Sequence, residues 1–178
     1  GMSTGMAPHR ERFGAHSPLE EPVMAPTLDS LDHVHIHVAN RAQSEAWYAR
    51  VLGLQRLPEC EPWLSAQGPL TLGNATATVH LALFERPVEK CHSVVALRTT
   101  AAAFLAWRAH LSAILGHDVK AVDHHLAWSL YFSDPDGNPF EITSYEHQQI
   151  AGALGAAGAA PLQREEVTQP GAAPDVKP

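Results

Sequence analysis

The stretch LDHVHIHVAN, residues 31–40, sets His33, His35 and His37 at every second position, with Val34, Ile36 and Val38 between and after them. Side chains of an extended strand alternate between its faces, so the pattern predicts a strand with one imidazole face and one aliphatic face. The aliphatic face needs a core to cover it. The imidazole face needs water, a hydrogen-bonding partner or a metal ion.

The same order of elements returns sixty residues on. RAQSEAWYARVLG, residues 41–53, follows the first His-led stretch and reads as a helix stopped by Gly53. HSVVAL, residues 92–97, is followed by TTAAAFLAWRAHLSAILG, which ends at Gly116. Phe104, Trp107, Leu111 and Leu115 recur there at helical spacing. Both helices carry an Ala-Trp pair, and Trp47 and Trp107 are expected in the core between helix and sheet. Strands are expected at 54–59, 69–73 and 77–84 after the first helix, and at 118–123, 128–133 and 139–145 after the second. DPDGN, residues 134–138, supplies a hairpin turn between the last two. Each unit is then β-α-β-β-β, over residues 31–85 and 91–146. One unit alone cannot bury both faces of its sheet, so the two should pair around a shared cleft. The expected class is α+β, with both modules forming a cupped, barrel-like sheet.

The ordered domain is expected at 29–148. Residues 1–28, rich in Pro, Gly and charge, read as an irregular arm, with Gly1-Met2 as a remnant of cloning. Residues 149–178 are a low-complexity Ala/Gly/Pro tail with a short helical start. The chain of 178 residues is 45% apolar and carries net charge −7, with no Lys/Arg run, which argues against nucleic acid as a partner. No apolar run reaches the ~20 residues of a membrane span. Cys60 and Cys91 make no disulfide framework. With no secretory pattern at the N-terminus, a cytoplasmic protein with a small-molecule partner is expected.

The β-α-β-β-β repeat, with DPDGN just ahead of PFEI, resembles the vicinal-oxygen-chelate superfamily of glyoxalases, extradiol dioxygenases, fosfomycin-resistance thiol transferases and bleomycin-binding proteins. The resemblance covers residues 31–146 and implies a metal held by a His from the first strand of each module and a Glu from the last strand. His33 lies five residues before Val38, as His92 lies five before Leu97, and Glu141 follows the DPDG turn. The resemblance therefore implies His33, His92 and Glu141 as ligands converging on one ion. Two imidazoles and a carboxylate form a facial set that suits Fe(II), with Mn(II), Ni(II) or Zn(II) also accommodated. Modules of this family pair within one chain or by exchange between two, and a homodimer is expected.

The resemblance also implies roles around the ion. Tyr131 precedes Glu141 by ten residues, and VDHH at 122–125 places His124 or His125 to contact substrate. His80, in TVHLALF, is a candidate acid–base residue or fourth ligand. His35 and His37 share the face of His33 and would line the cleft, as would Ser129. The expected activity is ring cleavage of a small dihydroxy-aromatic by an extradiol-type dioxygenase. Thiol transfer of the fosfomycin-resistance kind uses the same triad, but its phosphonate cage of cations is thin here, reduced to Lys120 and Ser129. A glyoxalase-like isomerase or lyase is a third enzymatic alternative. A non-catalytic bleomycin-sequestering protein is the alternative of another class, and the full triad argues against it.

Overall fold

The computed structural model describes residues 24–156. The chain divides after Leu31 into two units. Residues 24–31 carry no regular structure and are exposed.

In the second unit, β1 (Val34–Val38) leads into helix α1 (Arg41–Leu52), then β2 (Gln55–Arg56), β3 (Leu70–Gly73) and β4 (His80–Glu85). The order repeats as β5 (Val95–Arg98), helix α2 (Ala101–Leu115), β6 (Val122–Asp123), β7 (Trp128–Ser133) and β8 (Pro139–Ser144), and helix α3 (His147–Ala156) closes it. The strands form two four-stranded mixed sheets, ordered β1-β4-β3-β2 and β5-β8-β7-β6. In each, the first and last strands of the module run parallel and the rest antiparallel. The α+β class and twofold repeat are thus as expected, with sheets that are cupped and not closed into a barrel.

Both helices are bounded as their sequences require. The Asn40 side chain accepts from the Gln43 N–H, and the Thr100 side chain from the Ala103 N–H, so each helix has a capped first turn. Gly53 and Gly116 both stand in the left-handed region, at φ 67° and 74°, where a side chain would be strained.

The alternation in β1 comes out as the sequence demands: Ile36 and Val38 are buried, and His35 and His37 are exposed. Ile36, Val38, Leu81 and Leu83 of the first sheet share one hydrophobic core with Leu130, Phe132, Phe140 and Ile142 of the second. Tyr48 of α1 crosses between modules. Its ring meets Phe140 edge-on at 5.8 Å, and its hydroxyl donates to Asp134 at 2.6 Å. The two polar sheet faces therefore point away from this common core.

Three expectations are corrected. Trp47 and Trp107 are only partly buried against the core; the fully buried aromatics of the helices are Tyr48 and Phe104. The strand expected at 54–59 shrinks to Gln55–Arg56, and Pro58–Trp63 is a 3-10 helix, because Pro58 and Pro62 have no N–H for a ladder. The folded unit also continues past 148 as α3, since Ile150 and Leu154, four apart, insert into the core. No described helix is long and apolar enough to cross a membrane.

Candidate functional site

The outer face of the first sheet is an imidazole face. His33, just ahead of β1, donates or accepts at both ring nitrogens: Nδ1 lies 2.6 Å from Asp32 Oδ2 and Nε2 lies 3.0 Å from His35 Nε2. The His33 and His35 rings stack at 4.9 Å, and His35 leans on Phe84 of β4 at 4.7 Å. The hydrogen bond from His33 and its charge hold the Asp32 carboxyl below its ordinary value. One step ahead of the Val34–Leu81 pair, the parallel register sets His80 beside His33 on the same face. The His80 Nε2 is buried and has no hydrogen-bond partner among the described residues. His37 is exposed, and its carbonyl accepts from Asn138 Nδ2 at 3.0 Å, so its backbone ties β1 to the 134–138 turn.

The outer face of the second sheet is built from hydroxyls and one carboxylate. Glu141 on β8 stands directly opposite Tyr131 on β7, and Ser129 opposite Thr143. The Ser129 hydroxyl lies within hydrogen-bond distance of both Glu141, at 2.5 Å, and Thr143, at 3.2 Å. Ser129 is fully buried, so its hydroxyl orients Glu141 from below. Among the described residues no Lys or Arg pairs with Glu141. Tyr131 has its hydroxyl 2.9 Å from His124 Nε2. Burial, then the charge of Glu141, raises the Tyr131 hydroxyl above the ordinary tyrosine value, against a smaller lowering by Ser129. It is therefore a proton donor, not a phenolate, at neutral pH.

The β6–β7 turn separates the neighbouring histidines. His124 turns to Tyr131, whereas His125 takes φ 69° and is exposed, with only its backbone N–H tied to Asp123 at 2.8 Å. His92 is exposed in the segment joining β4 to β5. The structure thus gathers His33, His35 and His80 on one face, and Ser129, Tyr131, His124 and Glu141 on the other. Among the described residues, no three His, Cys, Asp or Glu side chains of one chain come together as a metal-holding group. His33 and Glu141, expected to converge, lie on the outer faces of different sheets.

Two features were not read from sequence. Asp32 fixes the His33 ring, and its adjacency to His33 was the available signal. His147 of α3 pairs with Asp123, 24 positions away, at 2.6 Å and stacks on Trp128 at 5.5 Å, contacts that no local pattern announces.

The sequence profile of the Glyoxalase/Bleomycin resistance protein/Dioxygenase superfamily matches residues 30–142. No curated protein matches the chain. Among solved structures, an integron cassette protein from the mobile metagenome of the Halifax Harbour sewage outfall is similar at TM-score 0.54 and 21% identity, over 66% of this chain and 99% of that one. A glyoxalase/dioxygenase from Nostoc punctiforme is similar at TM-score 0.54 and 18% identity, over 70% and 97%. A mutant of the fosfomycin resistance protein FosX from Listeria monocytogenes, complexed with Mn(II) and 1S,2S-dihydroxypropylphosphonic acid, is similar at TM-score 0.53 and 16% identity, over 69% and 97%. At these identities the likeness is one of fold.

Proposed function

Since the chain belongs to the glyoxalase/bleomycin resistance protein/dioxygenase superfamily, we propose that it is a divalent-metal enzyme that opens the ring of a small dihydroxy-aromatic, with Fe(II) as its ion. The observation that carries this reading is the His124–Tyr131 hydrogen bond at 2.9 Å beside Glu141, on one outer face. It puts a proton donor and an imidazole next to a carboxylate that has no Lys or Arg partner among the described residues.

The donor set fits such an ion in chemistry: two imidazoles, His33 and His92, and a carboxylate, Glu141, that has no Lys or Arg partner among the described residues. It does not fit within one chain, where the three stay apart. We therefore assign each site to two copies, His33 of one copy facing His92 and Glu141 of another. A homodimer would put the imidazole face of each chain against the carboxylate face of the other, twice, as a twofold axis requires.

His33, His92 and Glu141 would hold Fe(II), which would supply Lewis-acid and oxygen-activating chemistry toward a dihydroxy-aromatic. The chain's own residues do the rest. Ser129 fixes Glu141 from beneath. Tyr131, kept protonated, donates to a substrate oxygen, and His124 holds the Tyr131 hydroxyl in place. His80 Nε2, buried and unpartnered, takes or returns a proton on the imidazole side. His35 and His37 flank the substrate there. His125, exposed at the turn, contributes at most to the rim. The half-buried Cys60 and exposed Cys91, both free thiols, suit the reducing cytoplasm.

The test is oxygen uptake by the Fe(II)-loaded protein over a catechol panel, with a yellow ring-opened product expected. Mixing His33→Ala with Glu141→Gln chains tests the shared site. Each variant alone should be inactive, and random re-pairing should restore about a quarter of full activity, because half the dimers then hold one intact site. No oxygen uptake, together with Mn(II)-supported thiol addition to an epoxide, would put a fosfomycin-resistance-like transferase in its place.

A further inference from the structure

We infer that the seam between the two modules holds a binding site for a small neutral aromatic molecule with one hydroxyl group, separate from the outer faces that carry the proposed reaction.

The site is a cavity of about 200 Å³ on the core-facing side of β5 and β8. The first module lines it with Leu52 and Leu54, around the end of α1, and with Val79 ahead of β4; the second lines it with Leu97, Trp107 and Ile142. Val79, Leu97 and Trp107 pack against the core but are only partly buried. The cavity is the space they leave between the modules. Packed interiors keep few voids larger than a water molecule, so space of this size at a seam is space for an occupant. An apolar cavity of about 150 Å³ holds benzene, and the surplus here accommodates one or two further heavy atoms at about 30 Å³ each.

The polar residues of the lining decide what those atoms are. Arg98 turns its guanidinium over the Tyr145 ring, 5.4 Å away, and Tyr145 is not in the lining. A charged ligand would be desolvated in the cavity without a counter-charge. Asn74 is spent on its own turn: its Oδ1 accepts from the Thr78 and Val79 N–H groups at 2.8 and 3.0 Å, and its Nδ2 donates to the Thr76 and Thr78 hydroxyls. Thr99 remains. Its backbone N–H continues the β5–β8 ladder to the Thr143 carbonyl at 2.9 Å, so its side chain falls on the same side as Leu97. The Thr99 hydroxyl has no partner among the described residues, and a ring hydroxyl supplies one. Entry runs past Trp107, which also walls a more open cavity of about 300 Å³ between α1 and α2. Its indole meets the His110 ring edge-on at 5.5 Å there, so rotation of one side chain joins the seam to solvent.

The test uses the full chain with labelled Ala, Ile, Leu and Val methyls and 4-fluorophenol as the probe. Its fluorine signal should show saturable binding with a Kd of about 0.1–1 mM, the range open to eight heavy atoms. The methyl shifts should centre on Leu52, Leu97 and Ile142. Fluorobenzene should bind about 5-fold more weakly, the worth of one hydrogen bond, and Thr99→Val should remove that difference by weakening 4-fluorophenol alone. 4-Fluorobenzoate should not bind. Val79→Phe, which fills the cavity from a partly buried position, should abolish binding of both neutral rings without lowering the unfolding midpoint. No saturable binding by the unaltered chain, binding that survives Val79→Phe, or methyl shifts centred on Ala82 and Ala96 of the outer faces would each overturn the inference. Equal affinity for the two neutral rings would overturn the part given to the hydroxyl. Should Val79→Phe fail to fold, the methyl map and the Thr99→Val comparison decide.

Discussion

The two modules share a plan and differ in what they show to solvent. Each pairs its first and last strands in parallel, caps its helix with Asn40 or Thr100 and stops it at Gly53 or Gly116. Yet the outer face of the first carries His33, His35, His37 and His80, and that of the second carries Ser129, Tyr131, Glu141 and Thr143. The buried faces are interchangeable aliphatic and aromatic surface. The repeat is thus constrained by packing on one side only, and the other side is free to carry imidazoles in one module and hydroxyls with a carboxylate in the other. The first face thus holds four imidazoles and the second a carboxylate and a proton donor, and among the described residues neither gathers three side chains that could hold a metal ion.

This comparison is broken most directly by removing one donor from each face. Glu141→Gln and His33→Ala should each lower metal affinity by more than about 100-fold, with the ion lost from all sites at once. Equilibrium dialysis against Fe(II) under argon measures both. If the faces served separate ions, each variant would keep half of the bound metal, and the idea of one divided site would be lost.

The seam between the modules gives the next largest effect. Tyr48 is fully buried and donates to Asp134, itself 5% exposed, which also accepts from Asn138 Nδ2 at 2.8 Å. Asp134 Oδ1 takes the backbone N–H groups of Asp136 and Asn138. Burial, followed by the Asp134 charge, pushes the Tyr48 hydroxyl far above the ordinary value, so it stays a donor at every working pH. Tyr48→Phe should cost about 1.5–3 kcal/mol, the loss of one hydrogen bond to a buried charge. Urea unfolding should show a single transition at a lower midpoint. Two resolved transitions would mean that the modules unfold independently and that Tyr48 does not couple them.

Much of this was legible because periodicity and turn chemistry are local. The alternation of residues 33–38 fixed which side of β1 is apolar, and DPDGN formed the turn it promised, with the Asp134 side chain closing it onto Asn138. Gly53 and Gly116 ended their helices where expected. What failed was local pattern outweighed by tertiary packing. Trp47 looks like the anchor of α1, but its neighbour Tyr48 reaches the core because the second sheet offers Phe140 and Asp134. Residues 149–156 look like tail, yet Ile150 and Leu154 find a surface to bury against. The ligand candidates were nameable one at a time, whereas their placement on different sheets depends on how the modules pack, which spacing along the chain does not encode. The partnership of His124, and not His125, with Tyr131 turns on one left-handed residue in the β6–β7 turn.

The smallest effect separates the modules by acid. Glu45 of the first module and Asp123 of the second are both held low by a basic side chain, but in different settings. In the first module Arg56 of β2 bonds Glu45 of α1 at 2.7 Å near the surface, where salt screens the pair. In the second, Asp123 bonds His147 at 2.6 Å, and His147 opens α3 and stacks on Trp128. Burial alone would raise the Asp123 carboxyl, but the hydrogen bonds from His147 and the His125 N–H, with their charges, outweigh it and lower it. A carboxyl lowered in the folded state contributes stability above its unfolded value of about 3.9, and that contribution is lost as pH falls through the folded value. The attachment of α3 should therefore weaken below about pH 4. The near-UV circular dichroism of Trp128 reports it, since the indole also donates to the His147 carbonyl at 3.2 Å. Asp123→Asn should shift the neutral-pH baseline slightly and abolish the acid step, while Glu45→Gln should leave both unchanged. An acid step equal in the unaltered chain and Asp123→Asn would place its origin elsewhere and leave the two carboxylates equivalent after all.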